Sequence, residues 1–291
     1  MNPELLDISK KFIVEREKVR LKKSLGEPKP WTDWEPLLKF RFTNVRRMDD
    51  KVSQWLLTKW YQPFFDHKNM LLAAVLARQL NSIETLEEIG FPEVLNLDHI
   101  EKVLRDRTSR GDKNFSAAYM ITGTLGGDKT TQLVHKVLSP LQNLTLDTNS
   151  MEKSVSLLLP HAGMGTFIAG QVVADLRWGL SGSWSDKDSW APLGPGSNRW
   201  LRILHGEEEK RDVNLKQKEF LSRMESLRYS LCQDPQIQAI QEDRKLELMD
   251  WQNVCCESFK VWRWIHQGKS PKQNYPGTLP VTESDKPFWE V

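Results

Sequence analysis

The chain has 291 residues, 39% of them hydrophobic and 27% charged, with 41 Lys/Arg against 39 Asp/Glu for a formal charge of +2. That length can bury a sizeable core as one large domain or two small ones, and the composition excludes a disordered chain. A net charge this close to zero does not by itself announce a nucleic-acid binder, no apolar run reaches the ~20 residues of a membrane helix, and the opening MNPELLDISKK lacks the apolar core of a secretory signal.

Three cysteines (Cys232, Cys255, Cys256) are too few for a disulfide framework and fit no zinc spacing, so a reducing, intracellular compartment is expected. Residues 1–60 carry 14 Lys/Arg against 9 Asp/Glu, a surplus that a solvated helix face accommodates. Tryptophan is abundant, at 12 residues. Most must lie in the core, and a few could stack on bases.

In chain order the pattern is helical nearly throughout. Pro3–Ser24 spaces Leu5, Ile8, Phe12 and Val19 as one apolar stripe, and the GEPKP stretch at 26–30 breaks it. Asn44 can cap a helix carrying Val45, Met48, Val52, Trp55 and Leu56. Residues 66–80 read as a buried helix, with shorter helices over 82–89, 97–108, 130–141 and 150–159. Residues 179–199 read as a long Gly/Ser/Pro-rich loop, a length more often functional or mobile than filler. Two long helices are expected over 213–231 and 235–266, then an extended tail from Lys269. With no strand pairs and no repeat, the expected class is all-α.

The most informative stretch is LLPHAGMGTFIAGQVV at 158–173. It reads as helix, tight Gly-x-Gly turn, helix, in which Gly163 and Gly165 let the backbone bend and the amides ahead of Thr166 face a phosphate. This is the helix-hairpin-helix pattern of sequence-independent DNA backbone binding; an ordinary αα-hairpin is the competing reading. No Lys follows Gly165, so strand-cleaving lyase chemistry is not expected. Three carboxylates lie downstream: Asp175 on the next helix, and Asp186 and Asp188 in the long loop.

At this point the chain resembles a family. PKPWTD (28–33), KFRFTNVRRMDD (39–50), NFSAAYMI (114–121), the hairpin with GQVVADLRW (170–178), WAPLGPGSNR (190–199), and DWQNVCCESFKVWR with KSPKQNY (250–263, 269–275) together resemble the alpha-glutamyl/putrescinyl thymine pyrophosphorylases and the helical domain of phage 5-hydroxymethyluracil DNA kinases. Trp200 stands where that family usually has Gly, and the Cys255-to-Trp262 segment departs from its usual Leu-Cys-Glu-Phe. The resemblance implies a DNA glycosylase-like helical fold in one domain over 1–276, divisible into two lobes with a cleft between, and an extended tail over 277–291. It implies action on DNA in which thymine carries a pyrophosphorylated 5-hydroxymethyl group, with an amine such as putrescine or an amino acid displacing the pyrophosphate.

That chemistry sets the expected roles. The target base must leave the stack, the pyrophosphate needs cations or amide donors, and the amine needs a carboxylate to take its proton. Asp188 is the first candidate to orient or deprotonate the amine, and Asp175 either shares that role or binds the base edge. Arg41 and the Arg46/Arg47 pair either clamp phosphates or bridge to Asp49 and Asp50. Asn44 either contacts DNA or only caps a helix. Tyr119 either stacks on the base or lies in the core. Gly194, Gly196 and Ser197 form either an amide nest for the leaving group, with Arg199 as counter-charge, or a simple turn. Gln252, Asn253 and Glu257 share one helix, and Lys260 is placed to pair with Glu257. No metal ligands are assigned; a divalent ion such as Mg2+ assisting pyrophosphate departure is left open.

Gly268-Lys269-Ser270 resembles the end of a P-loop, but Arg263 occupies the required upstream glycine and no strand precedes it. A stand-alone transferase working beside a 5-hydroxymethyluracil DNA kinase is therefore expected, in a phage-infected bacterium or a nucleus. A DNA base N-glycosylase and a non-catalytic DNA-binding module serving such a kinase are the rival functions.

Overall fold

The computed structural model describes residues 1–116 and 128–271; Tyr119 and the tail over 277–291 lie outside them. Among the described residues the regular elements are helices: α1 Pro3–Ser24, α2 Glu35–Lys39, α3 Lys51–Trp55, α4 Met70–Leu80, α5 Ile83–Ile89, α6 Leu97–Ser109, α7 Lys129–Thr131, α8 Met151–Leu158, α9 Thr166–Gly179, α10 Pro195–Leu204, α11 Gln217–Leu231, α12 Pro235–Asp243 and α13 Leu248–Gln267. The all-α expectation holds. Wide turns over Leu56–Tyr61 and Gln132–Leu138 extend α3 and α7. The chain divides into two compact units, Met1–Lys51 with Asp188–Val291, and Val52–Lys187.

In the first unit α1 begins where the sequence puts it. Asn2 accepts from the amides of Glu4 and Leu5, Pro3 occupies the first turn, and Lys22 and Lys23 lie at the negative end of the helix. Its buried stripe, including Phe12 and Ile13, packs on α13 and α12. Trp200 is fully buried on α10 and donates its indole N–H to Ser9 Oγ at 2.9 Å, which makes burial of so large a polar-tipped ring tolerable. Phe220, Leu227 and Trp251 complete that core.

Two expected helices change here. Arg46 is extended, Arg47–Asp49 form a single 3-10 turn, and the helix starts only at Lys51. The expected helix over 235–266 is two, α12 and α13, separated at residues 244–247. Both breaks trace to Arg46. Its guanidinium, 3% exposed, donates to Glu17 Oε2 at 2.7 Å and to the carbonyls of Ile240 (2.7 Å) and Arg244 (3.0 Å). Reaching them requires an extended backbone at Arg46, and the carbonyls it takes lie at the end of α12, where that of Ile240 also accepts from the Arg244 amide. A new start at α13 is then secured by a reciprocal cap between Glu247 and Asp250.

The second unit is built on α4, whose every residue is buried. α9 lies against it, so closely at Gly179 that a Cβ would sit 2.5 Å from Met70 Sδ. α8 and α9 form the expected helix, turn, helix. Gly163 has φ +74°, and a Cβ there would meet Val137 Cγ2 at 2.9 Å; its carbonyl accepts from Gln79 Nε2 at 3.1 Å. Gly165, by contrast, is exposed with open space around it, and Thr166 behind it is half-buried. The bend therefore has one packed side and one open side. The long loop is not structureless: Trp184 and Trp190 are buried along it, and the amides of Trp184 and Ser185 donate to the carbonyls of Thr148 and Asn149.

Inside this unit Asp175 is completely buried. It accepts from Arg78 Nε and Nη2 (the latter at 2.9 Å) and from the Tyr61 hydroxyl at 2.8 Å. A forked guanidinium and a phenol match a carboxylate's lone pairs, and this offsets the loss of water. Asp175→Ala should strand the Arg78 charge and cost about 3–5 kcal/mol. Urea unfolding followed by tryptophan fluorescence checks this; a midpoint unchanged from wild type would mean that the pair does not hold the unit together.

Candidate functional site

The densest polar cluster in the first unit forms where residues 43–50 lie along α13. Asn253 Nδ2 donates to the Asn44 carbonyl at 2.7 Å, and the Thr43 hydroxyl donates to Asn253 Oδ1 at 3.1 Å. Asn44 in turn donates from its backbone N–H (2.9 Å) and its Nδ2 (3.1 Å) to Asp50 Oδ1, and from Nδ2 to the Asp49 carbonyl at 2.7 Å. Arg16 Nε reaches in from α1 to the Thr43 carbonyl at 3.1 Å. Asn44 is thus no helix cap; its amide organises the loop that carries Asp50.

One turn beyond Asn253, Glu257 is 2% exposed. Its Oε1 accepts from Lys260 Nζ, as the sequence suggests, while Oε2 is buried with no hydrogen-bond partner among the described residues. Burial pushes the Asp50 carboxyl from 3.8 up to about 6; Asn44 and the Arg16 charge pull it down, and the charge of Glu257 adds to the rise. Asp250, which accepts from the amides of Arg47 and Glu247, is likewise pushed by burial to about 6. Two carboxylates, two amides, a lysine and an arginine therefore converge, with Asn44, Asp50 and Asn253 half-buried and Lys260 open to solvent.

The start of α10 covers the neighbouring stretch of α13. A Cβ on Gly194 would lie 2.3 Å from Gln252 Nε2, and one on Gly196 3.2 Å from Cys256 Sγ. Ser197 is fully buried, donating to the Gly194 carbonyl at 3.0 Å and accepting from Gln252 Nε2 at 3.3 Å. Burial, then the Glu257 charge, raises the Cys256 thiol to about 11 against the pull of Ser197 and Lys260, so it stays protonated. The two glycines lie where the start of α10 packs on α13, and Ser197 faces Gln252 there. Arg199 lies with its guanidinium over the Phe259 ring (5.6 Å) and 3.7 Å from Glu209.

The other expected residues are placed as follows. Arg41 is exposed. Arg46 and Arg47 are buried, so neither is presented as a surface phosphate clamp; the reason is the pairing of Arg46 with Glu17 and helix-end carbonyls. Asp175 is a buried ion-pair partner, which corrects its expected role as an accessible base. Asp186 accepts from the amides of Met151 and Glu152 and the hydroxyl of Ser150, and so serves as a cap for α8. Asp188 sits in the first unit with its Oδ2 2.8 Å from Lys245 Nζ, at the edge of an open groove of about 390 Å³ shared with Arg228, Gln238 and Gln241. Asp188 and Asp175 fall in different units. Among the described residues no group of three or more His, Cys, Asp or Glu side chains converges to hold a metal ion, and no helix is long and apolar enough to cross a membrane.

Sequence reasoning missed Asp50 and Arg16. The available signal was the paired spacing of amide and carboxylate, Asn44 with Asp50 and Asn253 with Glu257, inside two of the motifs that carry the resemblance.

Comparison with known proteins agrees with this fold. The family model described as "5-hmdU DNA kinase, helical domain" matches residues 3–270, and the chain belongs to that family. A 5-hmdU DNA kinase of Bacillus phage SP10 is 26% identical over 221 residues, which is 66% of this chain and 35% of the phage protein; the chain thus spans about a third of that relative's length. No solved structure matches significantly.

The raised pKa of Asp50 gives a stability signature with a definite sign. Its folded value lies above the unfolded 3.8, so the folded state binds the extra proton between about pH 4 and 6, and stability from this group rises as pH falls through that window. Relative to Asp50→Asn, wild type should therefore gain in urea midpoint between pH 7 and pH 5. A gap between the two proteins that does not move with pH would contradict the assignment.

Proposed function

We propose that this chain modifies thymine in DNA, by replacing the pyrophosphate of a 5-pyrophosphoryloxymethyl-uracil with an amine, and that Asp50 with Glu257 forms its proton-accepting centre. The observation that carries the reading is that Asp50, held by Asn44, is raised by burial and by the charge of Glu257 one turn beyond Asn253. Supporting it are the family match over 3–270, the name of the phage relative, and the resemblance of the same segments to the thymine pyrophosphorylases. A 5-hmdU DNA kinase is then the partner that starts the substrate's synthesis.

In this reaction the amine nitrogen attacks the methylene carbon attached to C5. The new C–N bond forms as the C–O bond breaks, and pyrophosphate leaves with the electron pair. The nitrogen then carries an excess proton, which passes to Asp50. A carboxylate raised to about 6 is better matched to that task near neutrality than an ordinary aspartate. Glu257 adds to the rise of Asp50, and Lys260 meets the departing pyrophosphate. Asp188, half-exposed and paired with Lys245, is the rival base.

Base excision is less favoured, because Asp175 is sealed in an ion pair and Asp186 caps a helix, leaving that reading with Asp188 alone.

The test is nucleoside mass spectrometry of pyrophosphorylated 5-hydroxymethyluracil DNA incubated with the protein and putrescine or amino acids. An aminated nucleoside is expected. Asp50→Asn and Glu257→Gln should each lower the rate roughly a hundredfold or more, whereas Asp188→Asn should leave most of it. Wild-type rate should rise with pH through about 6. Unchanged nucleosides with every amine would overturn the proposal, and release of free base would transfer the case to a glycosylase.

A further inference from the structure

Beyond Glu257, α13 carries a surface that the reaction does not use. Trp262 stacks on Phe259 with ring centres 5.9 Å apart and planes at 18°; Trp264 meets the edge of Phe40 at 5.6 Å. Both tryptophans are only half-buried. Cations surround them: Lys39 Nζ lies 5.7 Å from the Trp264 ring, and the Arg263 guanidinium 5.8 Å from the Phe259 ring. Lys39 and Arg41 are exposed on either side of Phe40, where it meets Trp264. The acidic side chains closest in sequence are committed, Glu35 to Lys39 and Glu257 to Lys260.

Partly open indole faces beside exposed cations suit a polyanion that also presents flat rings. We propose that this surface, α13 from Val261 to Trp264 with residues 39–41, is a single-stranded DNA track that grips nucleotides flanking the target base. Its occupant must be unpaired, because a base inside a duplex offers no free face to an indole. Geometry links the track to the carboxylates. Seven residues of helix separate Glu257 from Trp264, about 10 Å, the span of roughly three stacked nucleotides. The proposal rests on the DNA-directed reading above and adds where the strand lies and in what form it is taken.

The experiment is a titration of the full chain with fluorescently labelled single-stranded oligothymidylate and with a duplex of equal length, at several salt concentrations, with no chemistry required. Wild type should bind the single strand more tightly than the duplex and quench tryptophan emission. Trp262→Ala and Trp264→Ala should each weaken single-strand binding roughly tenfold or more, Trp264→Tyr should restore most of it, and Lys39→Ala should make the salt dependence shallower by about one ion. Thermal melting of each variant separates loss of binding from loss of fold. Binding by wild type that both alanine variants leave unchanged overturns the track while the DNA reading stands. Absence of binding to either DNA form overturns both, and a duplex preference overturns the claim for an unpaired strand.

Discussion

The first unit depends on one buried cation. A guanidinium taken out of water is stable only when its donors are met, and Arg46 meets them with Glu17 on α1 and two carbonyls at the end of α12. This single residue ties the amino-terminal helix to a segment nearly two hundred residues later. It also dictates local shape. The extended backbone at Arg46 and the interruption before α13 are what the guanidinium needs on either side, and both bear on the cluster. Asn44, two residues before Arg46, accepts from Asn253 on α13, and the restart at Leu248 sets the register of Asn253 and Glu257.

The second unit solves the same problem with a different pair. Arg78 and Asp175 sit back to back with Tyr61 in an interior that α4 makes almost wholly apolar. The oxygens of Asp175 are taken up by Arg78 and Tyr61, whereas Asp50 accepts from Asn44 and is pushed by burial to about 6. The hairpin between α8 and α9 likewise has two faces: Gly163 is where the turn packs inward on Val137, and Gly165 is where it opens.

Local signals were read well from the sequence and distant ones poorly. α1 was legible to the residue because Asn2, Pro3 and Gly26 punctuate it. The buried α4 was legible from its apolar run, although it starts at Met70 because Asp66 turns with φ +57°. The single helix expected over 235–266 failed because nothing nearby in sequence announces that Arg46 will take its carbonyls. The Arg46/Arg47 pair was misread for the same reason: two adjacent arginines look like a surface clamp until a glutamate from α1 appears beside one of them. Asp50 was overlooked because its meaning depends on Glu257, more than two hundred positions away. The glycines of the 194–196 motif were noticed but explained by amide geometry rather than by the bulk of Gln252 and Cys256 across the helix contact.

The first unit is assembled from two separate segments, and the second unit lies between those segments in the sequence. During synthesis the helices of the second unit can collapse on α4 while the ribosome is still adding residues. α1 and Arg46 meanwhile wait, holding an unmatched charge and an apolar stripe, until α12 and α13 emerge. Contacts this distant form late and slowly. The vulnerable interval is therefore the one in which Arg46 and the apolar stripe of α1 are made but α12 and α13 are not.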